Sequence, residues 1–272
     1  MTVARLSGIE RIERAFAAAK RERRMAIVIY LMTGFPRRDA TRGLVRAALD
    51  GGADVIELGV PFSDPMADGT TVQRAGETAL REGIRLDDCI AEARTAVAER
   101  DATVVLMGYL NPFLRYGPQR LADALRSAGV AGVIAPDLPV EESAEIDAAL
   151  MPAGAARIDM FAPTTPDGRL ERLLPRARGF VYCVSLTGVT GARAGLSEEV
   201  GPFVRRVRAR TPLPIVVGFG ISRPEHVRAL RGVADGVAVG SAAIDAIDRA
   251  ERGRSEDALR DLVRSLREAG AA

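Results

Sequence analysis

Eight short apolar runs alternate with stretches of helical pattern along the chain. Each run is rich in β-branched residues and apolar almost throughout, which is typical of parallel strands that are covered on both faces. The runs begin at Ala26, Ala53, Thr103, Gly132, Ala156, Gly179, Pro214 and Gly236. The stretches between them place Ala and Leu at helical spacing among Arg and Glu. Alternating strands and helices predict a parallel α/β sheet, and eight such units predict that it closes into a (β/α)8 TIM barrel.

Extra helices are predicted at both ends of the chain, each with one apolar face. The residues that define these faces are Ile9, Ile12 and Phe16 at the N-terminal end and Leu259, Leu262, Val263 and Leu266 at the C-terminal end. No linker or low-complexity tract divides the sequence, so residues 1–272 are expected to form a single barrel domain. An open doubly wound sheet is the alternative fold. It is less favoured because no G-x-G-x-x-G turn follows the first predicted strand.

Composition narrows the classes of protein that fit this pattern. Hydrophobic residues make up 47% of the 272 positions, which is enough for a large core. A net charge of +2 with 27% charged residues indicates neither nucleic acid nor an anionic membrane as a partner. No apolar run is as long as a membrane span, and the first residues lack the apolar segment of a signal peptide. Cys89 and Cys183 lie outside any C-x-x-C pair, so a reduced, cytoplasmic setting is expected.

The chain has one histidine, His226, and one lysine, Lys20. A metal site rich in His or Cys therefore has too few ligands, and no metal is expected. Lys20 lies in the charged segment AAAKRERR, which is typical of a solvated helix face, so no lysine is placed for an imine mechanism. We interpret His226 as an ordinary exposed helix residue rather than a member of a catalytic triad. The chemistry is expected to depend on carboxylates, hydroxyls and backbone groups.

Glycines recur at the carboxyl ends of the last three predicted strands, which would meet at one rim of the barrel. They are Gly188 and Gly191, Gly218 and Gly220, and Gly240. Glycine lets backbone N–H groups approach an anion closely, and Ser241 would begin a helix whose N-terminus favours negative charge. Each loop alone is more typical of a tight turn than of an anion site. Three at one rim favour a phosphate ester as the ligand.

A carboxylate interrupts the second apolar run. Because side chains alternate along a strand, Glu57 should share a face with Val55 and Gly59 and point into the barrel mouth. Burial would raise its pKa and make it a proton donor and acceptor near neutral pH, although a structural carboxylate that accepts backbone N–H groups fits its position equally well.

Three more polar residues occur near predicted strand ends. Asp64 and Asp68 follow the second strand, where each alone is typical of a turn. Tyr182 lies inside the sixth strand, where packing with a bonded hydroxyl or contact with a ligand would fit.

Six motifs occur in an order that resembles the alpha subunit of tryptophan synthase. They are ELGVPFSDPMADG, GYLNP, PDLPVEES, SLTGVTG, GFGIS and VGSA. The first and third are specific, and the similarity extends from about Arg11 to the C-terminal helix. This resemblance implies a (β/α)8 barrel that cleaves indole-3-glycerol phosphate into indole and glyceraldehyde 3-phosphate without a cofactor. It also implies a beta subunit as partner, in an alpha2beta2 assembly.

Carried over by position, the resemblance implies that Glu57 is the general acid/base, that Asp68 holds the indole N–H and that Tyr182 lies in the active site. The residues matched to the phosphate site are Gly191, Gly220, Gly240 and Ser241. Those matched to the indole pocket are Tyr30, Met107, Tyr109 and Ile134. Those matched to the contact with the beta subunit are Asp64, Pro65 and Asn111. The segment SLTGVTGARAGLSEE is expected to form a lid that brings Thr190 to Asp68.

Three positions depart from the family pattern. Met66 replaces Leu, Thr70 replaces a Pro, and Ile29 replaces a Pro in the first strand. The loss of the Pro after Gly69 is expected to loosen that loop and to affect coupling to a partner more than chemistry. Three other functions stay open at this point: a stand-alone lyase that releases free indole, a catalytically idle subunit that activates a beta partner, and a barrel acting on another phosphorylated compound.

Overall fold

The computed structural model describes residues 6–184, 199–218 and 220–271. Its strands are β1 Ala26–Met32, β2 Val55–Gly59, β3 Val104–Met107, β4 Gly132–Ile134, β5 Ala156–Phe161, β6 Val181–Val184, β7 Ile215–Gly218 and β8 Gly236–Val239. Each strand pairs in parallel with the next, and β8 pairs with β1 to close the barrel. The predicted (β/α)8 fold is confirmed, and the open sheet is wrong.

Helices surround this barrel and follow the strands in turn. They are α1 Gly8–Arg21, α2 Thr41–Gly51, α3 Thr70–Arg81, α4 Leu86–Arg100, α5 Leu110–Tyr116, α6 Pro118–Ala128, α7 Ala144–Leu150, α8 Asp167–Leu173, α9 Val200–Arg208, α10 Pro224–Leu230, α11 Ser241–Arg249 and α12 Ser255–Gly270. Because the helices cover the outer face and side chains fill the interior, the strands are buried along almost their whole length. In the described part of the chain, none of these helices is long and apolar enough to cross a membrane.

The two predicted terminal helices are present. A capping box starts α1, in which the Ser7 N–H donates to Glu10 at 2.7 Å and the Glu10 N–H donates to the Ser7 hydroxyl at 3.2 Å. At the other end, α12 packs against α2 and buries the apolar face of its own sequence. The buried residues that the apolar pattern identified are Ile12, Phe16, Leu259, Val263 and Leu266.

The first helix lies across the amino-terminal end of the barrel. The Ile9 N–H donates to the carbonyl of Gly154, just before β5, at 3.0 Å. The Thr103 hydroxyl, just before β3, donates to the carbonyl of Arg11 at 3.3 Å. These contacts close one end, so the loops at the carboxyl ends of the strands form the only mouth that the described residues leave to the barrel interior.

Strand register decides which side chains share the interior. Tyr30 of β1 lies beside Glu57 of β2, and Gly59 lies beside Met107 of β3. Met107 in turn lies beside Ile134 of β4. Directly paired residues of parallel strands point to the same face, so these side chains line one continuous interior wall near the mouth.

Candidate active site

Glu57 is almost completely enclosed in the barrel, with 1% of its surface exposed. Its Oε2 atom is buried and has no hydrogen-bond partner among the described residues. Burial raises the pKa of Glu57 to about 8, and the negative charge of Asp68 adds to this rise. A carboxyl group with this pKa holds its proton at pH 7 and can still release it in the working range of an enzyme.

Asp68 lies in the loop between β2 and α3 and is only partly buried. Burial raises its pKa to about 6, while a hydrogen bond from the Tyr109 hydroxyl opposes the rise. The two carboxyl groups therefore titrate in a fixed order: near neutral pH Asp68 is ionised and Glu57 is protonated. Two acids whose environments separate their pKa values in this way are suited to different tasks in one reaction.

The Tyr109 hydroxyl joins the loop that carries Asp68 to the end of β3. It accepts the Ala67 N–H at 2.9 Å while it donates to the Asp68 carboxylate. The ring stacks on Phe62, with 5.3 Å between ring centroids. Tyr109 therefore contributes a polar bridge as well as the apolar surface that the indole-pocket prediction gave it.

Gln73 closes the same loop from the other side. Its side-chain amide donates to the carbonyl of Asp68 at 2.9 Å and to that of Pro65 at 3.3 Å. Thr70 occupies the first position of α3, where Pro is commonly found, and the helix begins there without it. The absence of Pro at this position was expected to loosen the loop. The two hydrogen bonds of Gln73 act against such loosening, because they hold the loop to α3.

Two tyrosines approach the acids from opposite walls of the barrel. Tyr30 and Tyr182 are both buried, with 7% and 5% of their surfaces exposed. Burial raises the pKa of each phenol, and the charges of Glu57 and Asp68 raise it further. Both phenols therefore lie close enough to the two carboxyl groups to be affected by their charge.

Each of these rings occupies space that a glycine leaves open. A Cβ atom on Gly59 would lie 2.2 Å from the Tyr30 hydroxyl oxygen, and one on Gly218 would lie 2.1 Å from the Tyr182 hydroxyl oxygen. The sequence pattern assigned Gly218 to an anion-binding loop or a tight turn. In the structure it ends β7, and its missing side chain makes room for a tyrosine.

The predicted phosphate residues that are described lie at the rim beside β7 and β8. Gly220 follows β7 with a φ of +80°, a conformation that favours glycine. Gly240 precedes α11 and Ser241 is its first residue, so the N–H groups of the first turn, which have no acceptor within the helix, lie at this rim. Gly191 and Thr190 lie outside the described residues, as does the lid segment up to Glu198.

The predicted indole pocket has its described members on the interior wall. Met107 and Tyr109 are 9% and 4% exposed, and Ile134 is fully enclosed. Sequence reasoning missed Met160, which lies beside Tyr182 in the pairing of β5 with β6 and is only partly buried. The alternation along β5, with Ile158 and Met160 two positions apart, could have identified it.

Residues predicted to meet a partner lie at the mouth and are open to solvent. Asp64 and Asn111 are exposed, and Met66 exposes 89% of its surface. Pro65 between them is partly buried. Water therefore surrounds most of the apolar Met66 side chain. A protein that covered this loop would bury that surface.

The single lysine and the single histidine of the sequence differ in their exposure to solvent. Lys20 is exposed in the last turn of α1, as expected. His226 was expected to be exposed and is not: only 7% of its surface is accessible, because it lies on the face of α10 that is buried together with Val227 and Leu230. Among the described residues, no three His, Cys, Asp or Glu side chains are grouped so that they could hold a metal ion.

Comparisons with known proteins agree on one family. The family model described as tryptophan synthase alpha chain matches residues 16–271. The tryptophan synthase alpha chain of Roseiflexus sp. (strain RS-1) is 50% identical over 261 residues, which cover 95% of this chain and 100% of the relative. The alpha chain of Geobacter sulfurreducens is 43% identical over 264 residues, 96% of this chain and 99% of the relative.

Solved structures give the same result. A structure of Mycobacterium tuberculosis tryptophan synthase in space group F222 superposes with a TM-score of 0.89 at 37% identity, over 96% of this chain and 98% of the other. A tryptophan synthase alpha chain from Legionella pneumophila subsp. pneumophila superposes with a TM-score of 0.86 at 34% identity, over 95% and 96%.

Proposed function

The chain belongs to the tryptophan synthase alpha chain family and so to tryptophan biosynthesis, and from this premise we propose that it is a carbon–carbon lyase that cleaves indole-3-glycerol phosphate into indole and glyceraldehyde 3-phosphate. The observation that carries the proposal is the pair of unlike carboxyl groups at the barrel mouth. Glu57 has a pKa of about 8 and Asp68 a pKa of about 6, so one is protonated and the other ionised at neutral pH.

The reaction is a retro-aldol cleavage in which the indole ring itself accepts the electrons. Glu57 donates its proton to C3 of the indole, and the ring nitrogen becomes positively charged. The Glu57 carboxylate then takes the proton of the C3′ hydroxyl as the bond between C3 and C3′ breaks. The electrons of that bond restore the indole ring, the C3′ carbon becomes the aldehyde, and Glu57 ends protonated as it began.

Asp68 stabilises the charge that develops on the ring. Its carboxylate is ionised at a pH at which Glu57 is still protonated. Because Asp68 is partly shielded from solvent, its interaction with a charge on the ring is stronger than it would be in water. The Tyr109 bridge holds the carboxylate in place. Tyr182, which feels the charges of both acids, would orient the substrate between them.

The remaining groups at the mouth fit the two ends of the substrate. The backbone N–H groups at Gly220, Gly240 and Ser241 would bind the phosphate, assisted by the positive end of the α11 dipole. The wall formed by Tyr30, Met107, Tyr109 and Ile134 would receive the flat apolar ring. The chemistry proposed here needs no cofactor.

A beta subunit is the proposed protein partner. The exposed loop around Asp64, Pro65 and Met66, together with Asn111, surrounds the mouth through which indole would leave. A partner at this position could receive indole without its release into water, in an alpha2beta2 assembly. Because the matched relatives are alpha chains, a stand-alone lyase and an idle subunit are not favoured. We also propose a cytoplasmic location, the setting of small-molecule biosynthesis.

The test is indole release from indole-3-glycerol phosphate by the purified chain, alone and with a tryptophan synthase beta subunit. Glu57→Gln should lower turnover about 10²- to 10⁴-fold, the usual contribution of a positioned acid/base, while substrate binding persists. The same exchange at exposed Glu145 is the matched control and should leave turnover unchanged. Turnover by Glu57→Gln within a few-fold of the native chain would exclude the proposed role, and absence of indole release by the native chain in both conditions would exclude the reaction.

A further inference from the structure

His226 makes a hydrogen bond that ties its helix to the loop before it. It is the third residue of α10, and its Nδ1 accepts the backbone N–H of Ser222 at 3.3 Å. A nitrogen that accepts carries no proton, so the ring is in the tautomer with the proton on Nε2. Nε2 is buried without a hydrogen-bond partner among the described residues, which leaves the contact with Ser222 as the polar interaction that orients the ring.

The loop that this bond restrains is the one that leads from β7 to α10. It contains Gly220, whose N–H is one of the donors at the proposed phosphate rim. On the carboxyl side of Gly220 the chain is fixed at two consecutive points: Ile221 is buried, with 3% of its surface exposed, and Ser222 is bonded to His226. A side chain at the third helical position that accepts an N–H from before the helix resembles one half of a capping box.

We propose that His226 is a positioning residue for the phosphate end of the substrate, acting through Ser222 on the conformation of Gly220. The inference rests on the proposed function, since it takes the loop after β7 as a phosphate site. His226 does not touch the substrate. Its Nδ1 keeps the loop in one conformation before the anion arrives, so that binding does not have to order it.

The positioning role requires a hydrogen-bond acceptor at the place of Nδ1, whereas packing requires only a side chain of suitable size. Asn places its Oδ1 atom where His places Nδ1, so His226→Asn keeps the acceptor while it loses most of the ring. Leu has the same four side-chain heavy atoms, branched at Cγ, but two methyl groups in place of the amide and so no acceptor. Gln carries its acceptor one atom farther out, near the place of Nε2. A packing role predicts that Leu is tolerated at least as well as Asn, whereas the positioning role predicts that Asn is tolerated better than Leu.

The experiment compares His226→Asn, His226→Leu and His226→Gln with the native chain. The readouts are kcat and KM for indole-3-glycerol phosphate and the dissociation constant of inorganic phosphate, measured directly by calorimetry. Leu and Gln should raise KM and the phosphate dissociation constant about three- to tenfold, the usual effect of one lost hydrogen bond. Their kcat should stay within about twofold of native, because Glu57 and Asp68 are untouched. Asn should restore both constants to near the native values.

Each failure has its own signature. Constants of the Leu variant equal to or lower than those of the Asn variant, or a fall in kcat at constant KM, would overturn the positioning role while leaving indole release by the native chain intact. Failure of the proposed function appears instead as no indole release by the native chain, and the phosphate measurements on the three variants then still decide whether Nδ1 matters. If the Leu variant does not fold, the comparison of Gln with Asn decides the same question.

Discussion

Replacing Glu57 with Gln should change how the stability of the fold depends on pH. The pKa of this carboxyl rises from 4.5 to about 8 on folding because burial disfavours its charged form. The folded state therefore binds the proton more tightly than the unfolded state does. The resulting stabilisation is complete below pH 4.5 and is lost as the pH rises through about 8. Gln has the same shape and stays neutral, so the variant lacks this dependence.

The size of the effect follows from the rise in pKa. An increase of about 3.5 pH units corresponds to about 5 kcal/mol between the fully protonated and fully ionised limits, at 1.36 kcal/mol for each unit. Between pH 5 and pH 9 the native chain should lose about 4 kcal/mol of unfolding free energy relative to Glu57→Gln. The loss should be steepest between pH 5 and pH 8, where the folded protein keeps a proton that the unfolded chain has released.

Urea unfolding of the isolated chain at 25 °C and at several pH values measures this difference. All other titrating groups are shared by the two proteins, so their contributions largely cancel. Glu145→Gln, at an exposed position of α7, measures what the loss of one carboxyl does by itself. Parallel curves for the native chain and Glu57→Gln would mean that Glu57 ionises as readily in the barrel as in water. The assignment of Glu57 as the proton carrier would then lose its physical basis.

Two other predictions follow from the contacts of the site. Tyr109→Phe removes the hydrogen bond that lowers the pKa of Asp68. The acidic limb of the pH profile of kcat/KM should therefore move about one pH unit upward. An unmoved limb would show that the Tyr109 hydroxyl does not affect the ionisation of Asp68. Gly59→Ala puts a Cβ 2.2 Å from the Tyr30 hydroxyl oxygen and should lower the unfolding free energy by about 1–3 kcal/mol. Gly168→Ala, where nothing lies within 4 Å of the added atom, should leave the urea midpoint unchanged or raise it, and equal losses for both variants would contradict the account of Gly59.

The fold could be predicted because each of its signals is local. Every strand of the barrel is covered by helices outside and by other strands' side chains inside, so the sequence shows eight nearly continuous apolar runs. The orientation of Glu57 is local as well, since alternation along a short strand fixes its face. Its burial then follows from the closed barrel, and the raised pKa follows from the burial.

The rest of the site depends on contacts between distant segments. Asp68 looks like any turn residue until the resemblance to a family singles it out. The bridge from Tyr109 to Ala67 spans 42 positions, and no spacing rule connects two loops that follow different strands. Gly218 appears in the sequence as a turn glycine, because the tyrosine that needs its space comes from the neighbouring strand.

The burial of His226 could not be predicted from the sequence either, for a different reason. Its helix has seven residues, too few for the apolar period to show which face turns inward. The sequence interpretation took it as an exposed helix residue, and the structure buries it although Glu225 and Arg228 close to it are exposed.

Helix α1, which closes the amino-terminal end of the barrel, carries the one side-chain amine of the sequence. Lys20, the one lysine in the sequence, lies exposed where α1 ends beside the start of β1. Apart from the α-amino group, amine-reactive dyes, crosslinkers or resins therefore have one attachment point, and it faces away from the opening where substrate and partner are proposed to enter. Molecules anchored through that ε-amine would all present the same side to solution, so immobilised enzyme should remain fully accessible.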